Sequence, residues 1–240
     1  AGEDAGRLRL VPFLSTRRAR SHPDPLPASA RRIERNPALI INPDDHPDDD
    51  LYRLMSSFIV PRPIAFVSTI SPDGVRNVAP FSYFNAISAT PPLLAFAIGH
   101  PDGRVKDTLA NLTASGDYVV NIVTEPIAEA MNATAAEVAP EIDEFNLAGL
   151  TPATSNTVSA PRVAESPVNL ECRLLETHEY GSAPRLTTLV IGEIVTAHID
   201  DHLLRENGTV DPVLLEAVGR LGGSEYCHST DVFRMERPRV

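Results

Sequence analysis

Lys106 is the only lysine among the 21 Lys and Arg residues of a 240-residue chain. It stands in the run Arg104-Val105-Lys106-Asp107-Thr108, just ahead of a helix-like stretch that begins Leu109-Ala110-Asn111-Leu112. A flexible ammonium beside a helix start suits a phosphate, because the first turn offers unpaired N–H groups and the positive end of the peptide dipoles. Thr108 adds a hydroxyl donor. The Asp107 carboxylate would repel a phosphate, so its expected task is to cap the helix while its own N–H turns to the ligand. An ordinary surface lysine leaves the same trace in a sequence, so the run needs support from elsewhere in the chain.

Other chemically capable residues point to less. His198-Ile199-Asp200-Asp201-His202 holds ligand-type side chains, but it ends a strand and enters a loop, where they do not share one side. No metal is assigned to it. Asp48-Asp49-Asp50 reads as a solvated acidic turn, and Glu125, Glu129 and Glu137 as an exposed helical face. The chain has no G-x-G-x-x-G after a strand, no phosphate-binding P-loop, no G-x-S-x-G elbow and no H-E-x-x-H. Gly222-Gly223 reads as a turn. Cys172 and Cys227 match no zinc or redox spacing, and reduced thiols in a cytoplasmic protein are the simplest account of them.

Composition excludes further classes. A net charge of −11 opposes binding to nucleic acid or an anionic membrane. With 5% aromatics and no tryptophan, stacking platforms for single strands lack their material. No stretch approaches the roughly 20 apolar residues of a membrane span. Hydrophobic residues make up 42%, enough for a sizeable core. Residues 1–50 differ from the rest: residues 1–36 carry eight arginines against four acids, prolines fall at 23, 25 and 27, and acids crowd 44–50. They read as an extension, leaving a domain over 51–240.

The elements that must position Lys106 are mostly strands. The pattern predicts strands over 64–70 and 75–79 joined by the turn Ser71-Pro72-Asp73-Gly74, then strands over 93–98 and 117–123 with a short helix over 109–114 between them. Helical or loop material fills 125–150. Strands resume over 168–177 and 186–199, a short helix covers 213–217, and a last strand is expected over 232–235. Hairpin-like connections and the lack of regular strand–helix alternation predict an antiparallel barrel with a few small helices.

The most specific segment is Pro61-Arg62-Pro63-Ile64-Ala65-Phe66-Val67-Ser68-Thr69, followed by Asp73-Gly74 and by Asn77-Val78-Ala79-Pro80-Phe81-Ser82-Tyr83-Phe84-Asn85. With Lys106-Asp107-Thr108, Pro167-Val168-Asn169-Leu170-Glu171-Cys172, Leu189-Val190-Ile191-Gly192-Glu193-Ile194 and Val218-Gly219-Arg220-Leu221-Gly222-Gly223, it resembles the flavin reductase-like family of FMN-binding split barrels. The resemblance covers about residues 51–240. It implies a mainly β, antiparallel, Greek-key-like split β-barrel that forms a homodimer. It also implies FMN as cofactor and NADH or NADPH as co-substrate, with hydride passing from nicotinamide C4 to flavin N5. Electrons would then go to oxygen, a two-component monooxygenase partner or another acceptor. The flavin contacts it implies are Arg62, Ser68, Thr69, Pro80, Phe81, Ser82, Asn85, Lys106, Asp107 and Thr108. Lys106 and Thr108 would take the phosphate, while Ser68, Thr69, Ser82 and Asn85 would reach the ring. Leu221-Gly222-Gly223, Tyr226 and His228 would border the nicotinamide. Hydride transfer needs no side-chain acid or base, so none is nominated. At least two of Phe81, Tyr83 and Phe84 are expected in the core. Asn121 is either a core amide or a cofactor contact. The alternative activity is a passive FMN binder or carrier.

Overall fold

The computed structural model describes residues 39–100 and 102–238. The arginine-rich part of the expected extension lies outside them. The chain divides into a unit Ala1–Asn42 and a unit Pro43–Val240, and every named element belongs to the second. The acidic run, expected as a solvated turn, is helical at its end. It opens helix α1, Asp48–Phe58, with Asp48, Asp49 and Asp50 in the first turn, where carboxylates complement the helix dipole.

Seven strands form one antiparallel sheet. They are β1 Ala65–Ile70, β2 Arg76–Phe81, β3 Phe84–Ala89, β4 Pro92–His100, β5 Asp117–Ile122, and the long pair Val168–Ser182 and Arg185–Ile199. Two-residue strands β6 Pro152–Ala153 and β7 Arg162–Val163 pair only with each other, so the long strands are β8 and β9. Spatial order is β2-β1-β5-β8-β9-β4-β3. The two edges, β2 and β3, are consecutive in the chain with only Ser82 and Tyr83 between them, so the sheet must curl until its edges approach at that corner. The contact of Phe81 on β2 with Phe96 on β4, ring centroids 5.5 Å apart, shows the closure.

Alternation explains why β1 is buried on both faces. Ala65 and Val67 point into the barrel with Leu94, Phe96, Ile98, Tyr118, Val120 and Val190. Phe66 points outward into a second core with Val78, Ile127, Met131 and Phe145, under the helices α3 Ala128–Ala133 and α4 Glu144–Ala148. Each fully buried Phe, Leu or Ile contributes about 1.5–3 kcal/mol, so the two clusters together fix how β1 and β2 are presented. Helix α2, Asp107–Ser115, ends at Gly116, whose φ of +76° is the left-handed C-cap that glycine takes without strain. The turn after β1 forms as expected, with Gly74 at φ +84° and its N–H donated to the Ser71 carbonyl (2.9 Å).

The structure differs from the sequence reading at three places. Strand β3 was not foreseen, because an edge strand exposed along much of its length has no alternation to reveal it. The predicted strand over 232–235 is not formed; Val232, Phe233 and Met235 are exposed and have no strand to pair with. The short helix near 213 is a single turn, α5 Pro212–Leu215, leading into the small hairpin of β10 Val218–Arg220 and β11 Tyr226–His228.

Candidate functional site

A cleft of about 560 Å³ opens between β2, the segment 102–108, the loop after α3, and the β10–β11 hairpin. Ala79, Pro80, Phe81 and Ser82 all line it. Successive side chains on a strand point to opposite faces, so four consecutive lining residues mean that the cleft meets the open backbone edge of β2. That edge exists because β2 is the first strand of the sheet. Pro80 is tolerated there because an edge position does not need every ladder donor.

Facing that edge is the start of α2. Lys106 is the N-cap residue, in extended conformation, and no side chain caps the helix. This corrects the expected capping role of Asp107, which is the first helical residue instead. The Lys106 carbonyl takes the N–H groups of Leu109 (2.9 Å) and Ala110 (3.1 Å). The N–H groups of Asp107 and Thr108 make no hydrogen bond among the described residues, and the exposed Lys106 ammonium forms no ion pair among them. Two free amides and one free cation at a helix N-terminus form an anion cradle. Arg104 is otherwise engaged, with Nη2 2.8 Å from Glu137 Oε2.

A buried polar chain stands behind the cradle. The Thr108 hydroxyl (2.9 Å) and the Thr69 hydroxyl (3.1 Å) both donate to Asn77 Oδ1, and Asn111 Nδ2 donates to Thr69 Oγ1 (3.1 Å). Asn77 Nδ2 in turn donates to Glu144 Oε1 (2.8 Å). Thr108 therefore has its N–H, not its hydroxyl proton, to offer a phosphate. Glu144 is 6% exposed, and its Oε2 is buried without a hydrogen-bond partner. Burial pushes its carboxyl above the ordinary glutamate value; Asp107 adds to the rise, while the Glu144 and Val78 amides and Asn77 oppose it. The Arg76–Asp143 ion pair (2.5 Å) pins the N-cap of α4 to β2, one residue from Glu144 and one from Asn77.

The β10–β11 hairpin supplies the remaining wall. The Arg220 guanidinium stacks 4.4 Å from the centroid of the Tyr226 ring and donates to the Gly223 carbonyl. The Tyr226 hydroxyl donates to Asn132 Oδ1 (3.3 Å). His228 is turned away, its Nδ1 2.5 Å from Glu125 Oε2.

Of the ten contacts expected from the sequence, the structure brings six to the cleft: Pro80, Phe81, Ser82, Lys106, Asp107 and Thr108. The other four stand elsewhere. Ser68 is on the outward face of β1, its hydroxyl given to the Pro161 carbonyl (2.5 Å). Thr69 reaches the cleft only through Asn77. Asn85 lies exposed on edge strand β3. Arg62 is buried and forks to the carbonyls of Ser56, Ile59 and Leu221. Asn121 resolves as a core amide: its Nδ2 donates to Phe66 O and Ser68 Oγ, and its Oδ1 accepts from Val163 N and Asn169 Nδ2. Of the aromatic trio, Phe81 is in the core, Phe84 packs partly buried against it, and Tyr83 is 40% exposed. His198 and His202 have separate partners, Glu171 (2.5 Å) and Asp200 (3.9 Å). Among the described residues no group of three or more His, Cys, Asp or Glu could hold a metal. No helix among them is long and apolar enough to cross a membrane.

Known proteins share the sequence pattern and the fold. Residues 55–220 match the family described as "Flavin reductase like domain". An uncharacterized protein of Aquifex aeolicus is 43% identical over 180 residues, covering 74% of this chain and 89% of that protein. The fold is similar to nitrilotriacetate monooxygenase component B from Bacillus cereus, with a TM-score of 0.80 and 36% identity over 84% of this chain and 100% of that one. It is also similar to 2-nitrobenzoate 2-nitroreductase NbaA of Pseudomonas fluorescens, with a TM-score of 0.76 and 33% identity over 83% and 96%.

Proposed function

The chain belongs to the flavin reductase-like family, and from that premise we propose that it is an NAD(P)H-dependent flavin reductase that holds FMN in the cleft beside α2. The observation that carries this reading is the cradle of Lys106 with the free N–H groups of Asp107 and Thr108, set against the open backbone edge of β2. The residues present fit the cofactor. A phosphate needs a cation and aligned donors, which α2 supplies. A flat ring with polar edges needs apolar contact and backbone hydrogen-bonding groups, which Ala79, Pro80, Phe81 and Ser82 supply.

Held by these residues, FMN would supply the redox chemistry, taking hydride from a nicotinamide and passing the electrons on. The protein's part is orientation. Lys106 and the two amides anchor one end of the cofactor. The β2 edge would hold the other end, and Arg220 stacked on Tyr226 would border the opening through which a nicotinamide enters. Thr69 acts at one remove by setting the rotamer of Asn77. A homodimer and a monooxygenase partner belong to the same proposal. The likeness to a monooxygenase component supports the second, and the two unpaired thiols suit a cytoplasmic setting.

The test is direct. Purified protein is titrated with FMN and with FAD, then given NADH or NADPH while absorbance of the nicotinamide is followed. The expected result is preferential FMN binding and oxidation of at least one nicotinamide. FMN binding without any nicotinamide oxidation would instead make the protein a flavin binder or carrier.

A further inference from the structure

Glu144 is a buried carboxyl of the cleft with no cation paired to it among the described residues. It lies at the start of α4, 6% exposed, with Oε1 accepting from Asn77 Nδ2 at 2.8 Å and Oε2 buried with no partner. An ionised carboxylate so placed would have the Asn77 amide and the weaker pull of the Glu144 and Val78 N–H groups to set against its burial, with no cation paired to it. A neutral carboxylic acid fits better: its carbonyl oxygen takes the Asn77 amide and its O–H is the free donor.

The surrounding charges favour the same form. Asp107 faces it from α2, and burial and Asp107 both raise its affinity for a proton. Arg76 on β2 is consumed by Asp143 at 2.5 Å, and Arg104 by Glu137 at 2.8 Å. Glu129 on α3 is exposed. Lys106 is the cation left in the cradle, and on the reading above it belongs to the cofactor phosphate. Through Asn77 and Thr108, Glu144 stands two hydrogen bonds from that cradle. A phosphate arriving there would cancel the Lys106 charge and add negative charge beside the carboxyl.

We propose that Glu144 carries a proton when the cleft is filled, and that binding of a phosphate-bearing flavin draws this proton from solution. The inference rests on the assignment of FMN to this cleft. Glu144 is a positioning residue in this role: it accepts the Asn77 amide and so holds Asn77 and Thr108, and when neutral it adds no negative charge beside an arriving phosphate. Glu144→Gln keeps the shape and removes the ionisable group.

The experiment measures FMN affinity of the wild-type protein and E144Q by flavin fluorescence quenching from about pH 5.5 to about pH 8.5. The phosphate's own ionisation, near pH 6, enters both proteins equally and cancels in their ratio. The expected result is a wild-type affinity that falls relative to E144Q by up to about tenfold per pH unit once Glu144 ionises in the free protein. Calorimetry in buffers of different ionisation heat should show proton uptake by the wild type, above about pH 7.5, where the phosphate contributes none. That count also decides the matter if E144Q does not fold. Parallel pH profiles, or no proton uptake, with FMN bound in both proteins would overturn this proposal alone. Failure of either protein to bind FMN would overturn it together with the flavin assignment.

Discussion

Gly192 on β9 lies directly against Tyr118 on β5: a Cβ placed on the glycine would sit 2.0 Å from the phenol oxygen and 3.0 Å from the Arg173 carbonyl. The barrel interior has room for Tyr118 only because position 192 has no side chain. Gly192→Ala should therefore destabilise the fold by about 1–3 kcal/mol through overpacking. Tyr118 adds a second consequence. Its hydroxyl is buried with no hydrogen-bond partner, so Tyr118→Phe should cost nothing or raise the melting temperature. The double variant should recover part of the G192A loss. Urea unfolding of the three variants checks this; additive losses would show that the hydroxyl is not the obstacle.

Glu171 predicts how the protein meets acid. Its carboxylate is fully buried on β8 and accepts the N–H groups of Asn156 (2.7 Å), Thr157 (2.6 Å) and Val158 (3.2 Å), with His198 Nε2 2.5 Å away. Burial alone would raise its affinity for a proton, but these donors together hold it below the ordinary value of 4.5. A depressed folded value means that the stabilisation is complete above that ordinary value and is lost as pH falls through the folded one. Glu171→Gln, which places N–H groups against N–H groups, should cost about 1.5–3 kcal/mol at neutral pH. The gap between E171Q and wild type should narrow as pH drops below 4.5. Denaturant unfolding at several pH values measures both; a gap independent of pH would count against the carboxylate's role. Glu144, shifted upward, has the opposite sign: its contribution is present at low pH and lost as pH rises.

Arg62 was a plausible flavin contact by sequence, and its structural work is different. Nη1 donates to the carbonyls of Ser56 (2.6 Å) and Ile59 (2.8 Å) at the end of α1, and Nη2 to Leu221 (2.9 Å). It ties the last turn of α1 to the segment after β10. A lysine cannot span that fork, so Arg62→Lys should lose about 1.5–3 kcal/mol and speed amide exchange in α1 more than in β1 or β5. Unchanged exchange in α1 would show that packing, not the fork, holds the helix.

What the sequence revealed and concealed follows from distance along the chain. The β-branched runs of β1, β5 and β9 announce strands because each is buried on at least one face over its length. Lys106-Asp107-Thr108 and Pro80-Phe81-Ser82 are local runs whose backbone enters the cleft, so a local reading finds them. Asn77 and Glu144 meet across 67 residues, and nothing local to either marks the contact. Ser68 misled because it neighbours Thr69; the pleat sends the two side chains to opposite faces. Helix α1 was hidden because three aspartates in a row look like a solvated turn, whereas its place is set by distant contacts: Tyr52 near Tyr83, centroids 6.3 Å apart, and the Arg62 fork to its last turn.

Lys106 carries the sharpest test of the site. Its ammonium is the free cation of the cradle among the described residues, and the chain has no other lysine to substitute for it. A charge-assisted contact to a phosphate contributes about 1.5–3 kcal/mol, so Lys106→Ala should weaken FMN binding by about 10- to 150-fold. Riboflavin, which has the ring but no phosphate, should bind wild type and K106A alike. Raising salt should erode the wild-type advantage for FMN, because the ammonium is exposed and screened. Fluorescence titration with both flavins separates the outcomes. Equal FMN affinity in the two proteins would remove Lys106 from the site, and an equal loss for riboflavin would mean that the substitution had disturbed the start of α2 and not a phosphate contact.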